Sequence, residues 1–450
     1  MGKVVNVGLL GFGTVGAGAA RILLERAELL EQRTGAAIRL ARVCDLDITT
    51  PRGVQIPSGV LTTDVKDLLD DPQIDVFIEL IGGVGVARRF VMEAVEKGKH
   101  VVTANKALLA THGHEIFEAA TRRGVTVGFE ASVGGGIPVI KTLREGLVAN
   151  RIHTVMGIMN GTANYILTRM TDEARAFQDV LSDAQRLGYA EADPTYDVEG
   201  VDTAHKLAIV ATLGFGTPVA LSDIYVEGIA RLTPLDMEYA REFGYRVKLL
   251  AIARLSPQGL ELRVHPAMLP AGHLLAQVGG AFNAFYFIGD SVGKVLLYGL
   301  GAGRMPTGSA VVADLVDIAR DLVQGGAPTG RVPPLGIPFH ALQTVPKSPM
   351  EALVGRYYVR FSAVDRPGVL ARISGILGDL GISVASVVQK GRGREASVPI
   401  VMLTHEAREA QVRQALARID ALEVVSDKTV VVRIEDHQAL EEKIDEERRQ

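Results

Sequence analysis

A chain of 450 residues, 47% apolar and 22% charged, is long enough for two to four domains, each with its own core. A formal net charge of −4, no Trp and 5% aromatic residues argue against a nucleic-acid partner, and no apolar run approaches the ~18 residues of a membrane span. Cys44 is the one cysteine, so an intrachain disulfide is excluded and a reducing, cytoplasmic setting is expected.

Residues 4–10 (VVNVGLL) read as a buried strand running into Gly11-Phe12-Gly13-Thr14-Val15-Gly16 and a helix over about 16–32. One lysine followed by apolar residues mimics a signal peptide, but the glycine spacing in a strand–turn–helix context favours a dinucleotide site. The first glycine makes the tight turn, the second admits pyrophosphate to the backbone, and the third lets helix pack on strand. A second strand over 38–45 ends on Asp45, where an acid suits the ribose 2′-OH of NAD. It lies further from Gly16 than the ~20 residues usual for such an acid, which the long first helix explains. Arg42 and Arg52 flank Asp45 and suit the 2′-phosphate of NADP, so NADP and NAD both stay open.

Further strands are expected at 75–83, 100–105 and 125–133, alternating with helices at 64–71, 86–99 and 112–124. Five strands alternating with helices are the pattern of a parallel, doubly wound α/β sheet, Rossmann-like in its opening turn. Lys106 follows the strand at 100–105 on the carboxyl edge, in reach of a nicotinamide or a substrate. His112 and His114 form the chain's one HxH and read as a polar helix start, with no third zinc ligand nearby. Gly134-Gly135-Gly136, after Glu130, let backbone approach a ligand or ion, or form a hinge between domains.

From about 137 the pattern changes to α+β. Helical sequence at 137–149 precedes a strand at 151–160, and three or four helices then run to about 215. Strands follow at 245–255, 259–269, 281–290 and 293–303. Asn160-Gly161-Thr162-Ala163-Asn164-Tyr165 ends a strand and starts a helix, where N–H groups and small polar side chains suit a carboxylate or an ordinary capped turn. Six prolines between 328 and 349 mark a linker or extended crossing segment. Residues 355–434 read as a separate βαββαβ unit, the ferredoxin-like arrangement. The expected domains are 1–136, 137–330, a linker 331–354, 355–434 and a charged tail 435–450.

The segment 187–206, LGYAEADPTYDVEGVDTAHK, holds five carboxylates: Glu191, Asp193, Asp197, Glu199 and Asp202. No cation interrupts it before Lys206, and a nearly all-apolar helix follows. A one-sided acidic loop emptying into a buried helix reads as a pocket for a cationic small molecule. Asp202 and Lys206 stand four apart on one helical face. That spacing is most often a surface ion pair, but a lysine entering a buried element beside a carboxylate is suited to move a proton. His205 points off that face and reads as structural.

These motifs (GFGTVG, TANKALLA, EASVGGGIP, GIMNGTANYIL, LGYAEADPTYDVEGVDTAHKL, GAGRMPTGSAV) resemble homoserine dehydrogenase over essentially the whole chain. Residues 355–434, with Asp365-Arg366-Pro367-Gly368 after the first strand, resemble an ACT domain. The resemblance implies reversible NAD(P)-dependent interconversion of L-homoserine and L-aspartate 4-semialdehyde, in threonine, methionine and isoleucine biosynthesis. It implies that Lys206 is the proton donor and acceptor, that Asp202 holds the substrate ammonium with Glu191 and Asp197 nearby, and that Lys106 touches cofactor and substrate. Gly188 and Gly303 match positions lining cofactor and substrate, with Thr162 and Tyr189 beside the substrate and Glu191 beside the cofactor. Glu130, Val133, Gly135 and Ile137 match a monovalent-cation (Na+ or K+) site, mostly through backbone oxygens. Feedback inhibition by L-threonine at the ACT domain and a homodimer or homotetramer are implied as well. The alternative is a related amino-acid dehydrogenase whose ACT domain serves only oligomerisation. An aspartate-semialdehyde dehydrogenase would need a nucleophilic cysteine in its second domain, and Cys44 lies in the Rossmann segment. A dinucleotide-sensing regulator would need a basic DNA-binding face that the sequence lacks.

Overall fold

The computed structural model describes residues 3–325, 332–390 and 397–436. Most of the expected charged tail (437–450) and part of the proline-rich segment (326–331) lie outside the described residues. The chain forms two compact units, the first comprising 1–161, 202–224 and 282–345, the second 162–201, 225–281 and 346–450.

In the first unit β1 (Lys3–Leu10), β2 (Ala36–Cys44), β3 (Leu61–Thr62), β4 (Val76–Glu79), β5 (His100–Thr103) and β6 (Val127–Gly128) form a parallel sheet in the order β3-β2-β1-β4-β5-β6. The order reverses direction at β1, so a crevice opens at the carboxyl ends of β1 and β4. The sixth strand, beyond the five expected, is β3, a two-residue edge piece paired with Val43 and Cys44. The single long helix expected after β1 is two helices, Thr14–Glu25 and Ala27–Thr34, broken at Arg26. The strand expected over 125–133 shrinks to β6, because the chain turns into a short 3-10 helix, Glu130–Ser132. The helix after β5 starts at Lys106 and runs to Arg123, so His112 and His114 sit inside it and do not open it.

The first unit also takes in later sequence. Helix Arg304–Gln324 packs on Thr14–Glu25, where a Cβ on Gly18 would collide with the carbonyl oxygen of Arg304, and one on Gly308 would lie 2.8 Å from Ala19 N. Val5, Leu9, Ala17, Ala20, Val311 and Leu315 are buried together in this core. Strands Ile152–Ile158, Phe282–Gly289 and Gly293–Leu300 form an antiparallel set. Helix Val201–Phe215 is buried along ten consecutive residues, from Asp202 to Ala211. The segment before 345 is packed, with Leu335 buried and Gln343 N donating to Gly216 O at 3.0 Å.

In the second unit Tyr245–Ser256 and Gly259–Pro270 form a long antiparallel hairpin. The C-terminal module runs βαββαβ, and its four main strands stand in the order fourth, first, third, second (Val425–Ile434, Val354–Val364, Ser397–Thr404, Val384–Gln389). Helices Val369–Asp379 and Glu409–Asp420 cover a core of Tyr357, Phe361, Ile373, Val412 and Ile419. The module does not stand apart from the rest of its unit, as the sequence reading expected. Its last strand continues the hairpin in parallel, Ala267 opposite Arg433 and Met268 opposite Ile434. Asp236, which caps helix Pro234–Glu242, also accepts from Arg360 Nε at 2.6 Å and Tyr358 OH at 2.9 Å. Removing the module would strip a strand from the hairpin and leave buried Asp236 without its cationic partner, holding only its cap hydrogen bonds to Thr233. No helix of the described residues is long and apolar enough to cross a membrane.

Candidate active site

Gly11 takes φ +97°, and a Cβ there would lie 2.7 Å from the Leu80 carbonyl carbon. A Cβ on Gly16 would collide with the Gly11 carbonyl oxygen, so both glycines serve the turn itself. Gly13 differs, since nothing lies within 4 Å of where its Cβ would be. Gly13 caps helix Thr14–Glu25, and no side chain caps its first N–H groups. Uncapped amides above an open glycine fit a dinucleotide pyrophosphate.

Asp45 follows β2 directly. Its Oδ2 accepts from Phe12 N at 2.5 Å and its Oδ1 from Asp47 N at 2.9 Å, so it holds the glycine loop. Arg42 Nη1 donates to Ala41 O. Arg52 pairs with Asp47 at 3.2 Å, and its backbone oxygen accepts from Arg304. The Nε atoms of Arg52 and Arg304 are buried without a hydrogen-bond partner.

At the carboxyl ends of β4 and β5 a polar lattice fixes Lys106. Glu79 is buried and accepts from Thr103 Oγ1 at 2.7 Å, Ile81 N at 2.9 Å and Gly82 N at 3.0 Å. Burial pushes its carboxyl above the usual range, against these hydrogen bonds. Asn105 Nδ2 donates to Gly83 O at 2.7 Å, and its Oδ1 caps the helix by accepting from Leu108 N at 3.0 Å. Lys106 is therefore the first residue of a capped helix.

Helix Val201–Phe215 meets this edge. Lys206 Nζ donates to Asp202 Oδ2 at 2.7 Å and to Met159 O at 2.7 Å. Asn160 Nδ2 donates to the same Oδ2 at 2.8 Å, and Lys106 Nζ lies 3.0 Å from Asp202 Oδ1. Asp202 is 4% exposed and Lys206 8%, whereas the Lys106 side chain is 38% exposed. Burial opposes ionisation of Asp202, but the charges of Lys206 and Lys106, with hydrogen bonds from Lys206 and Asn160, outweigh it and hold the carboxyl well below the usual range. The result is a buried carboxylate shared by one buried and one accessible lysine. His205 is buried, and desolvation pushes its imidazole down.

Of the residues singled out in the sequence, this group unites Asp202, Lys206 and Lys106 and adds Asn160 and Met159 O. Asn160 stood in a motif read as either a substrate-carboxylate site or an ordinary capped turn, and here its amide donates to Asp202. Glu79 went unread, although a glutamate inside DVFIELIGG is a visible anomaly. Thr162, Gly188, Tyr189, Glu191 and Asp197 belong to the second unit. There Thr162 Oγ1 donates to Tyr189 O at 2.6 Å, Tyr189 packs on Tyr165, and Gly188 takes φ +77°. Glu191 is exposed.

Around the expected cation site, Glu130 is buried and its two carboxylate oxygens accept from Ile140 N at 2.9 Å and Lys141 N at 2.8 Å. Gly135 takes φ +58° and lies so close to Gly301 that a side chain would not fit. Ile137 and Val133 are buried beside it. Gly303, at φ +132°, precedes helix Arg304–Gln324. No group of three or more His, Cys, Asp or Glu suited to a metal ion occurs among the described residues.

A glycine-turn Rossmann sheet whose carboxyl edge carries a Lys–Asp–Lys group around one buried carboxylate defines an NAD(P)-dependent oxidoreductase. Three family models match the chain: a homoserine dehydrogenase NAD-binding domain at 11–130, homoserine dehydrogenase at 138–316 and an ACT domain at 357–424. A homoserine dehydrogenase of Neisseria gonorrhoeae is 47% identical over 96% of this chain and 99% of its own length. The crystal structure of a homoserine dehydrogenase from Thiobacillus denitrificans matches at a TM-score of 0.91 and 50% identity, covering 97% of this chain and 100% of that one. A hyperthermophilic archaeal homoserine dehydrogenase in complex with NADPH matches at a TM-score of 0.60 and 25% identity, over 70% of this chain and 97% of that one. The chain belongs to the homoserine dehydrogenase family and carries a C-terminal ACT domain.

Proposed function

We propose that this enzyme interconverts L-aspartate 4-semialdehyde and L-homoserine with NADP or NAD, on the route to threonine, methionine and isoleucine. The buried Lys206–Asp202 pair beside Lys106 carries the reading. The nicotinamide supplies the hydride, and the protein supplies geometry and a proton. Gly11, Phe12, Gly13, Thr14, Val15, Gly16 and Gly303 are assigned to the dinucleotide, with Asp45, Arg42 and Arg52 at its adenosine ribose. The archaeal relative's structure is a complex with NADPH, which supports a nicotinamide cofactor here and leaves NADP and NAD both open.

In the reduction direction, Lys206 as an ammonium polarises the aldehyde oxygen and gives its proton to the developing alkoxide. In the oxidation direction it takes the proton back. Asp202 keeps the lysine aligned and offers negative charge to the substrate's ammonium. Lys106 neutralises the site beside it. By family resemblance Glu191, Asp197, Thr162, Tyr189 and Gly188 contribute to substrate binding. A Na+ or K+ ion at the main chain of Glu130, Val133, Gly135 and Ile137 belongs to the same reading, as do threonine inhibition through the ACT domain, a homodimer or homotetramer and a cytoplasmic setting. So do the domain limits 1–136, 137–330, 331–354, 355–434 and 435–450.

The deciding experiment is oxidation of L-homoserine by the full chain with NADP and NAD in parallel. Each is run with NaCl, KCl or choline chloride, with and without L-threonine. Turnover of L-homoserine is expected. If a panel of other amino-acid alcohols is oxidised and L-homoserine is not, the substrate assignment is wrong.

A further inference from the structure

Segment 45–53 leaves the carboxyl end of β2 beside the glycine loop, where the adenosine ribose of a dinucleotide lies on a Rossmann sheet. Asp45 is the acid placed to take a ribose 2′-OH. Each of its oxygens already accepts from the main chain, Oδ2 from Phe12 N and Oδ1 from Asp47 N. That commits the carboxylate to holding the loop and favours a coenzyme whose 2′ position is read by cations.

Two arginines of the first unit meet on this segment. Arg52 belongs to it, and Arg304 comes from 252 residues further along, as the first residue of helix Arg304–Gln324. The main chain of Arg304 is fixed against helix Thr14–Glu25, because its carbonyl oxygen fills the space a Cβ on Gly18 would need. Its side chain crosses to segment 45–53. There Nη2 donates to Arg52 O, and Nη1 lies 3.6 Å from where a Cβ on Gly53 would be.

Acceptors are scarce at this meeting point. A guanidinium carries several N–H donors and no acceptor. Among the described residues these two meet Asp47 Oδ2, at 3.2 Å from Arg52 Nη2, and the oxygen of Arg52 itself. Both Nε atoms are buried without a partner, and neither Nη1 makes a hydrogen bond among the described residues. Asp47 balances Arg52, and its Oδ1 is spent on Thr49 N and Thr50 N at 3.0 Å each. Arg304 makes no ion pair among the described residues. Unpaired donors and an uncompensated positive charge beside the ribose suit a phosphate, which brings charge and several acceptors. A 2′-hydroxyl brings one acceptor and no charge.

We infer that Arg304 is a coenzyme-specificity residue: with Arg52 it holds the 2′-phosphate of NADP, and the enzyme selects NADP over NAD. This role rests on the dinucleotide reading above and decides the choice left open there. The deciding cation arrives from a helix that lies outside the Rossmann segment in sequence.

The test is calorimetric titration of the full-length protein, without substrate, with NADP, NAD, adenosine 2′,5′-bisphosphate and 5′-AMP. The wild type should bind NADP and the bisphosphate at least about tenfold more tightly than NAD and AMP. Arg304→Ala should weaken NADP and the bisphosphate at least about tenfold, the size expected for lost charge-assisted hydrogen bonds, and shift NAD and AMP by no more than about twofold. Retained NAD and AMP binding also reports that the variant is folded. Arg304→Lys keeps the charge and should lie between the two, and it reads the same ratio if the alanine variant does not fold. A wild type that binds NAD as tightly as NADP overturns the selectivity. Variants that lose NADP and NAD equally, or lose neither, overturn the role of Arg304, and the dinucleotide reading stands in both cases. If the wild type binds neither dinucleotide, that reading fails and this role fails with it.

Discussion

Asp202 divides its carboxylate between two lysines: Oδ2 lies 2.7 Å from Lys206 Nζ and Oδ1 lies 3.0 Å from Lys106 Nζ. The Lys206 side chain is 11% exposed and that of Lys106 38%, so one lysine is locked in place and the other can meet a ligand. Met159 O and Asn160 Nδ2 complete the locking of the inner pair. A proton donor held in this way needs little reorganisation as charge develops on a carbonyl oxygen.

Lys206→Ala should lower kcat for homoserine oxidation at least about 10²-fold, the lower end expected of a positioned proton donor. Cofactor affinity, measured by nucleotide fluorescence, should stay within a few-fold of wild type. Near-normal turnover would remove Lys206 from the mechanism.

Asp202→Asn should cost stability as well as rate, because it leaves two lysines facing each other without a counter-charge. Breaking a buried pair from one side costs roughly 3–5 kcal/mol. Its pH dependence has a definite sign. The native carboxyl titrates below its ordinary value of about 3.9, so its stabilisation is complete above that pH and is lost as pH falls through the native value. The gap in thermal midpoint between wild type and variant should be flat from about pH 5 to 8 and narrow only below about pH 4. A gap that grows on acidification would contradict this account.

The glycines of the turn should separate into two kinds. Gly13→Ala places a methyl in open space, so the thermal midpoint should hold while NADP and NAD affinity falls about tenfold or more. Gly16→Ala and Gly11→Ala should lower the midpoint itself. The Gly16 methyl collides with the Gly11 carbonyl, and Gly11 sits at φ +97° against Leu80. Calorimetry of the three proteins, paired with cofactor titration, distinguishes these outcomes.

The Rossmann sheet was legible because parallel strands buried on both faces leave continuous apolar runs bounded by glycine. The edge strand Leu61–Thr62 was not, because two residues carry no period. The Asp202–Lys206 pair followed from helical spacing, whereas the approach of Lys106 to Asp202 depends on a contact nearly a hundred residues apart that no local pattern encodes. The acidic segment was legible as a unit but not as a division of labour. Only Asp202 is buried between lysines, and Glu191 and Glu199 remain exposed. The docking of the ACT module onto the hairpin was hidden for a similar reason. Asp236 reads locally as an ordinary capping-box acid, and its second role with Arg360 appears only in three dimensions.

That docking region should set the acid sensitivity of the enzyme. His265 is fully buried in Gly259–Pro270 beside Arg263, which pairs with Glu435. Its Nδ1 lies 2.8 Å from Pro266 O and its Nε2 3.3 Å from Arg263 Nη1. Nδ1 therefore carries the proton and Nε2 accepts, which is the neutral ring. Burial, then the charges of Arg433 and Arg263, against Glu435, push its pKa down to about 4. The unfolded chain, with an ordinary value of about 6.5, binds the proton first, so stability falls as pH drops from about 6.5 toward 4. His265→Gln keeps a donor and an acceptor without a titratable ring. It should be less stable than wild type at pH 7.5 through imperfect packing. Its thermal midpoint should fall less than that of wild type between pH 7.5 and 5, measured by calorimetry of both full-length proteins. Equal falls would mean that the acid sensitivity lies elsewhere.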